Sequence, residues 1–483
     1  MKNFDTKEIT GAALNAHSSV RLLADGICIS NDTTQTHLNN NDLIIGPPGS
    51  GKTRNYCKPN IMQAEESMII TDTKGVLYGE MAEYLTKAGY IVECLDFDDV
   101  SHSCGYNPFE YIRRSSDGKF NERDVLTMAA TLVPVKNQKD PYWERSSQVL
   151  LQSIISFLLE FAEEEDCTVQ GMMRLFRETS MDTGNPPMGV KTHYHQIMEK
   201  LEKEHPNCFA AKQFRMMDCA AERTFSCVRS ICASHLAGFD FDGIEHMTEE
   251  QNSIDLRDFG RRKHALFVNV SDTDRSLDPL INLFYAQAIH LLCYEADHTY
   301  VTHRLPRAVR FYFDDFAANT LIPDFDKLIS VIRSRNIAFS IVLQSISQLE
   351  QLYGAPAATT ILNGCDTLIY LGGQDVQTGD LIARKANRPL GEILAMPLDK
   401  EYLFVRGQKP VMTAKCDIRK HPKYAYIHEV NLENTEAEEI LREGGLPFYT
   451  GDPAVDGIED TKWNWVPKKK EVPLPEGEEH PFE

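Results

Sequence analysis

The sequence predicts an α/β fold in which helices cover a mainly parallel sheet. Short apolar runs rich in β-branched and aromatic residues recur along the chain, and most are separated by stretches whose apolar residues have helical spacing. One early run leads directly into the glycine-rich segment GPPGSGKT. Predicted strands lie at 43–45, 68–71, 90–95, 265–270, 309–313, 337–343 and 367–371, and two runs within 401–416 flank GQKP like a hairpin at a sheet edge.

Length and charge limit what the chain can be. With 483 residues, 42% of them hydrophobic and 25% charged, it has the composition of a globular protein with more than one compact unit. Its formal net charge of −21 opposes unspecific binding to nucleic acid or an anionic membrane, so any nucleic-acid contact must be local. The twelve cysteines form no C-x-x-C pair, and no apolar run is long enough for a membrane span. We therefore expect neither a zinc or disulfide framework nor a crossing of the membrane by this chain itself.

The segment 46–53 matches the phosphate-binding pattern G-x-x-x-x-G-K-[ST]. Its glycines permit a tight turn that aims backbone N–H groups at phosphate oxygens, and the helix that follows adds its N-terminal dipole. Lys52 would reach the β- and γ-phosphates, and Thr53 would bind Mg²⁺. A chance match in a glycine-proline loop is the alternative, which the strand-loop-helix placement disfavours. The candidate nucleotide-binding residues are Gly46, Gly49, Ser50, Gly51, Lys52 and Thr53.

An apolar strand that ends in two acids, VRFYFDDF at 309–316, predicts the metal-binding half of the same site. Asp314 would hold Mg²⁺ and Asp315 would orient the attacking water. A helix cap or a turn is the alternative for such a pair. The strand at 337–343 delivers Gln344 to its carboxyl end, the side of an α/β sheet where ligands bind. We expect these side chains to share one cleft with the phosphate loop.

Basic residues could complete the site or bind nucleic acid. Arg333 and Arg335 lie near the end of a predicted helix, and Asn336, which tolerates left-handed geometry, would end that helix. Pairing with the helix dipole is the alternative for either arginine. The stretches 257–267 and 304–310 are locally basic and could face phosphate groups, with solvated loop charges as the alternative.

The middle of the chain lacks the strand pattern. A helical stretch follows Asp140, which we expect to be its N-cap, with Pro141 at the first helical position. The final segment has too little apolar content to pack, so we expect it to be mobile. The predicted organisation is 1–106 as the first part of a nucleotide-binding domain, 107–254 as an all-α insert, 255–454 as the second part of the nucleotide-binding domain, and 455–483 as a mobile tail.

Several further stretches accompany the phosphate loop: IITDTKGVLYGEMAEYL (69–85), GYNPFEYI (105–112), DPYWERSSQVLL (140–151), LFVNVSDTDRSLDPLINLFYAQ (266–287), the long stretch from PRAVRFYFDDF to LEQLYG (306–354) and ILNGCDTLIYLGGQD (361–375). In this order the chain resembles the type IV secretion coupling proteins, the TraG/TraD/VirD class of conjugative DNA-transfer ATPases. The resemblance extends over residues 40–385 and is far more specific than a phosphate loop alone.

The resemblance implies a RecA-like motor domain with an all-α insert, assembled as a homo-oligomeric ring of six subunits around a DNA channel. It implies ATP and Mg²⁺ as ligands, and it implies single-stranded DNA with a relaxase, together with type IV secretion channel components, as partners. Lys52 and Thr53 would then hold phosphate and Mg²⁺, Asp314 would sit at the metal, and Gln344 would sense the γ-phosphate. Arg333 would be the finger that reaches a neighbouring subunit's nucleotide, with Arg335 in reserve.

Two departures from the family pattern matter. Asp315 stands where the family usually has Glu, and its side chain is shorter by one carbon–carbon bond, or roughly 1.5 Å. That difference could slow hydrolysis while leaving nucleotide binding intact. The family's membrane-anchoring helices before the motor have no counterpart in this sequence. We therefore expect a cytoplasmic protein that is recruited to the inner face of the membrane, either by a separate membrane tether or as a member of a soluble branch.

Three functions remain open from the sequence. The first is an ATP-driven translocase that couples DNA or nucleoprotein to a secretion channel. The second is an ATP-gated adaptor that recruits substrate with little hydrolysis, as Asp315 would allow. The third is a translocase of protein substrates, which the acidic charge balance would tolerate better than DNA.

Overall fold

The computed structural model describes residues 19–135, 139–180, 191–218, 222–240, 242–249, 253–316 and 321–427. These residues lie in one compact unit that spans 1–428. The predicted mobile tail, 455–483, lies outside the described residues. The strands are β1 (Val20–Ala24), β2 (Ile27–Ser30), β3 (Asp42–Ile45), β4 (Ser67–Asp72), β5 (Ile91–Asp96), β6 (His264–Asn269), β7 (Val309–Phe313), β8 (Ile337–Leu343), β9 (Thr367–Tyr370), β10 (Lys400–Val405) and β11 (Val411–Ala414).

The described α-helices are α1 (Thr33–Thr36), α2 (Lys58–Gln63), α3 (Val76–Lys87), α4 (Glu122–Leu132), α5 (Tyr142–Phe161), α6 (Val169–Arg177), α7 (His193–Glu204), α8 (Phe209–Asp218), α9 (Glu222–Leu236), α10 (Asp242–Glu249), α11 (Asp278–Thr299), α12 (Phe325–Val331), α13 (Ile346–Tyr353), α14 (Ala355–Asn363), α15 (Val376–Ala386) and α16 (Leu390–Leu394). A π-helical segment, Thr53–Cys57, precedes α2 without a break, and a 3₁₀ turn, Ile332–Arg335, follows α12. No helix of the described residues is both long and apolar enough to cross a bilayer.

A nine-stranded sheet forms the centre of the molecule, with the strand order β11-β10-β9-β3-β8-β7-β4-β6-β5. All neighbouring pairs from β9 to β5 are parallel. The hairpin β10–β11 is antiparallel and extends one edge of the sheet next to β9. The central strands β3, β4, β6 and β7 are buried along their whole length, which explains their nearly continuous apolar sequences.

Between β5 and β6, the described residues form helices and no named strand. The long helix α5 lies at their centre, and its apolar residues belong to the same hydrophobic core as the strands. The expected capping of this helix is wrong by one residue. Pro141 is the N-cap rather than the first helical residue, because its carbonyl already accepts the Arg145 N–H at 3.1 Å. Asp140 therefore precedes the N-cap.

Charged side chains are buried beside the central strands, in what we call the buried charge network (Arg21, Asp42, Glu66 and Arg310). Each of these residues is at most 7% exposed. Arg310 Nε lies 2.5 Å from Glu66 Oε2, and Arg21 Nε lies 2.8 Å from Asp42 Oδ2. Asp42 also accepts a 2.6 Å hydrogen bond from the Tyr56 hydroxyl of the helix that follows the phosphate loop. The network therefore ties the N-terminal hairpin, the sheet and that helix together.

Candidate nucleotide-binding site

Strand order brings the predicted site residues together. β8 lies between β3 and β7, and the three strands are parallel, so their carboxyl ends meet at one edge. The phosphate loop follows β3, Gln344 follows β8, and Asp314 follows β7. The backbone N–H of Gly46 donates to the Leu343 carbonyl at 3.0 Å, which joins the start of the loop to the neighbouring strand. Thr53 and Asp314, which lie 261 positions apart in sequence, thus share one cleft.

The loop geometry depends on glycine at its most curved point. Gly51 has a φ of +92°, and a Cβ there would lie 1.9 Å from Asn55 Oδ1. Gly49 also lies in the left-handed region, with a φ of +76°. A side chain at either position would be strained by the backbone, and at Gly51 it would also clash. The loop closes through a hydrogen bond of 3.1 Å from the Ser50 N–H to the Pro47 carbonyl.

The hydroxyl of Thr53 donates directly to Asp314 Oδ2. Asp314 is 7% exposed. Burial and, to a smaller extent, the negative charge of Asp315 together raise the pKa of its carboxyl to about 6, against the lowering effect of the Thr53 hydrogen bond. The environment of Asp314 therefore disfavours its ionised carboxylate. A cation bound between the Thr53 and Asp314 oxygens would compensate this negative charge.

Lys52 lies beside the second acid of the pair. Its Nζ donates to the Pro47 carbonyl at 3.3 Å and lies 3.9 Å from Asp315 Oδ1. Gln344 Nε2 donates to the same Asp315 oxygen at 3.4 Å, and Gln348 in turn donates to Gln344 Oε1 at 3.3 Å. The Asp315 carboxylate is thus oriented from two sides while its side chain stays 31% exposed.

Asp315 has a left-handed backbone with a φ of +51°. Asp tolerates this region better than most residues, but it still costs free energy relative to an extended or helical backbone. The conformation turns the chain sharply after β7, and the Asp315 N–H donates to Asp314 Oδ1 at 3.2 Å. Both carboxylates can therefore point to the same cleft although they are consecutive in sequence.

These residues fit Mg²⁺ and a nucleoside triphosphate. Thr53 and Asp314 offer two converging oxygen atoms, the ligand type that Mg²⁺ prefers. The ammonium of Lys52 and the backbone N–H groups of the loop offer positive charge and donors to phosphate. Carboxylates and lysine on one sheet edge, with a loop that must contain glycine, match phosphoryl chemistry better than a structural cap.

The two arginine candidates differ in their environment. Arg333 is exposed and precedes β8, whereas Gln344 follows that strand, so the two lie at opposite ends of a seven-residue strand that spans roughly 23 Å at 3.3 Å per residue. Arg333 therefore cannot act in its own chain's site, and its role toward a neighbouring subunit stays a prediction. Arg335 binds Asp297 through two nitrogens, at 2.9 and 2.7 Å. The ion pair makes Arg335 the weaker candidate.

The predicted basic stretches are largely engaged within the protein. Arg262 pairs with Asp258, and Arg261 lies 3.3 Å from Glu295. Arg310, the last residue of the second stretch, is fully buried in the charge network and cannot contact DNA. Arg310 therefore fits neither interpretation of that stretch, phosphate contact or solvated loop charge, because its partners Asp42 and Glu66 come from distant segments that the local sequence does not reveal.

Sequence reasoning missed one residue that contacts the phosphate loop. Lys415, just after β11, donates from Nζ to the Ser50 carbonyl at 2.8 Å. The hairpin that carries it is recognisable in the sequence, but its position beside β9, which in turn pairs with β3, is set by strand pairing. A basic residue at the end of an edge hairpin was the only local signal.

The family described as Type IV secretory system Conjugative DNA transfer matches residues 24–388. The conjugal transfer protein TraG of Escherichia coli is 23% identical over 321 residues, which cover 64% of this chain and 48% of that protein. The coupling protein TraD of Escherichia coli strain K12 is 24% identical over 377 residues, which cover 74% of this chain and 46% of that protein. The chain thus spans about half the length of the curated relatives it matches.

Solved structures of the bacterial conjugative coupling protein TrwB share this fold. TrwBdeltaN70 in complex with sulphate gives a TM-score of 0.62 at 17% identity, covering 85% of this chain and 94% of that chain. TrwB in complex with the ATP analogue ADPNP gives a TM-score of 0.60 at 17% identity, covering 85% and 93%. At this identity the likeness establishes the fold alone, and it confirms the predicted RecA-like α/β class.

Proposed function

Because the chain belongs to the type IV secretory system conjugative DNA transfer family, we propose that it is an ATP-driven coupling protein. It recruits DNA or a nucleoprotein and delivers this substrate to a type IV secretion channel. The observation that carries the proposal is the contact between Thr53 of the phosphate loop and Asp314 of β7's carboxyl end. A hydroxyl and a carboxylate in contact at that place form the oxygen pair that a Mg²⁺–ATP complex requires.

Each side chain then has a role in hydrolysis. Bound Mg²⁺ would neutralise phosphate charge. Lys52 holds the phosphates, and Thr53 with Asp314 holds the metal. Asp315 orients the attacking water, for which its partly exposed carboxylate and its contact with Gln344 are suited. Gln344, linked to this carboxylate, reports the presence of the γ-phosphate to α13 through Gln348.

The proposal includes a ring. Arg333 is exposed and cannot reach its own site, so as an arginine finger it would act on the neighbouring subunit's nucleotide, and hydrolysis would then require assembly. We propose that the ring has six subunits around a DNA channel. The partners we propose are a relaxase bound to single-stranded DNA and the components of the secretion channel, with recruitment to the inner face of the membrane.

Steady-state ATP hydrolysis across a protein concentration series, with and without single-stranded DNA, tests the proposal. Activity should rise faster than protein concentration and increase with DNA. Lys52→Ala should lower the rate at least about 100-fold, because phosphate charge loses its main partner. Arg333→Ala should lower the hydrolysis rate to the same extent only if Arg333 acts on the nucleotide of the neighbouring subunit. Mixing Lys52→Ala with Arg333→Ala should then restore part of the activity, since each variant supplies what the other lacks.

An ATP-gated adaptor is the second candidate, and Asp315 favours it. The shorter acid is held by Gln344 and lies 3.9 Å from Lys52, which limits how far it can reach toward a water. If ATP binds without turnover and Asp315→Glu restores hydrolysis, the adaptor replaces the motor. Stimulation by a protein substrate but not by DNA would instead favour a protein translocase.

A further inference from the structure

The phosphate loop is held from outside by the hairpin at the end of the sheet. Lys415 Nζ donates to the Ser50 carbonyl at 2.8 Å. In the first turn of the following helix, Asn55 Nδ2 donates to the Cys416 carbonyl at 2.7 Å. Two consecutive residues after β11 therefore bind both the loop and the helix that leaves it. None of the residues proposed for catalysis makes these contacts.

The peptide unit between Ser50 and Gly51 is what the Lys415 contact fixes. In a trans peptide the C=O and the next N–H point in opposite directions. A Ser50 carbonyl held toward Lys415 therefore aims the Gly51 N–H to the other side, where loop N–H groups bind phosphate. Without this contact the unit could rotate, because Gly51 has no Cβ and already adopts a φ of +92°.

The surroundings of Lys415 keep it in place. Its own N–H donates to the Asp399 carbonyl at 3.0 Å. Glu401 of β10 is 2% exposed and acts on Lys415 electrostatically. Burial lowers the pKa of Lys415, and the Glu401 and Asp399 carboxylates oppose that effect. The lysine is thus a partly buried cation that the hairpin presents to a single backbone carbonyl of the loop.

We propose that Lys415 is a positioning residue for nucleotide binding, which holds the Ser50–Gly51 peptide so that the Gly51 N–H faces the phosphates. The inference rests on the proposed binding of ATP at this loop. Lys415 differs from Lys52 in its mode of action, because it works through the backbone rather than by touching the phosphates. The edge hairpin is then part of the nucleotide site and not only the border of the sheet.

Equilibrium titration of the full chain with a fluorescent ATP analogue and Mg²⁺ tests this. The variants are Lys415→Met, Lys415→Arg and the control Lys409→Met, whose lysine is exposed in the turn of the same hairpin. Lys415→Met should weaken binding roughly tenfold, the scale of one charged hydrogen bond. Lys415→Arg, which keeps a cationic donor, and Lys409→Met should bind like the wild type.

Hydrogen–deuterium exchange without nucleotide gives the second readout. Peptides that contain 46–53 should exchange faster in Lys415→Met than in the wild type or Lys415→Arg. Unchanged affinity with unchanged exchange in Lys415→Met would overturn the inference. So would a loss of affinity that arginine does not rescue and that accompanies a lower Tm, because Lys415 would then serve hairpin stability only.

The same data separate this inference from the proposed function. If the wild type fails to bind the analogue, the proposed function fails, whereas faster loop exchange in Lys415→Met would still support the positioning role. If Lys415→Met does not fold, Lys415→Gln replaces it, since glutamine removes the charge and keeps a polar side chain. Weakened binding with faster exchange supports the inference, and wild-type values in both overturn it.

Discussion

Two sets of charged residues lie near the same central strands, and they differ in how far they are buried and paired within the protein. In the buried charge network, Arg310 and Asp42 are fully buried, and each has polar partners from several segments of the chain. At the carboxyl ends, Lys52 and Asp315 stand 3.9 Å apart, and Asp315 keeps a partly exposed side chain. The network ties segments together, whereas the carboxyl-end set retains capacity for a ligand.

The difference separates stability from function by geometry rather than by residue type. Both sets consist of carboxylates and cations near β3 and β7. A charge fully paired inside the protein has little left to offer a ligand, and removing its partner is costly. A carboxylate such as Asp314, whose pKa burial raises to about 6, lowers stability when ionised but is ready for a cation. Substitutions in the two sets should therefore change the free energy of unfolding in opposite directions.

The largest effect on stability is expected from Arg310→Met. It leaves Glu66 buried without its cation and removes one partner of Asp42. We expect the free energy of unfolding to fall by about 3–5 kcal/mol, as for other broken buried ion pairs. Urea unfolding measures this loss of free energy. Arg384→Met, which breaks an exposed pair with Asp380, is the matched control and should change little. Equal losses in both variants would contradict the distinction between the two sets.

Asp314→Asn should act in the reverse direction. Because the pKa of Asp314 in the folded protein is raised, ionisation costs stability as the pH rises from about 4 to about 6, and the full cost persists above that range. Removing the charge should stabilise the protein at neutral pH by about 1–3 kcal/mol and abolish Mg²⁺-dependent hydrolysis. Thermal unfolding and an ATPase assay on one preparation measure both. A less stable Asp314→Asn would show that the carboxylate serves the fold.

The smallest effect concerns His264, an intermediate case at the start of β6. Its Nε2 lies 2.7 Å from Asp258 Oδ2 and its Nδ1 lies 3.6 Å from Glu93 Oε2. Burial lowers the pKa of His264, but the two carboxylates outweigh burial and raise it overall. The stabilisation is therefore fully present below about pH 6.5, the ordinary value, and is lost as the pH rises through the folded pKa.

His264→Gln should remove this pH dependence and cost no more than about 1 kcal/mol at low pH. The measurement is the free energy of unfolding at about pH 5.5 and about pH 8.5, on either side of the ordinary histidine pKa. The wild type should lose stability relative to the variant between these values. If the variant loses as much as the wild type, the cluster around His264 does not titrate as proposed.

Much of the fold could be predicted because its signals are local. The seven predicted strands of the sheet all exist, within a few residues of the expected bounds, and Asn336 ends its helical segment with a φ of +66° as expected. The N-terminal hairpin β1–β2 was missed, since its short strands are only partly buried and lack a continuous apolar run. Local periodicity detects buried strands better than exposed ones.

By itself, the sequence determined which residues can do phosphate chemistry. Gly51, Lys52, Thr53 and the acids after β7 are fixed by short-range requirements, namely backbone freedom, charge and placement at a strand end. Tertiary structure alone decided which of the remaining charges join them. Arg310 and Lys415 both stand near strands in a basic context, yet strand pairing buries the first against Asp42 and brings the second to the Ser50 carbonyl. Where each of these charges lies depends on the order of the strands, which is set by contacts between distant segments that no local pattern contains.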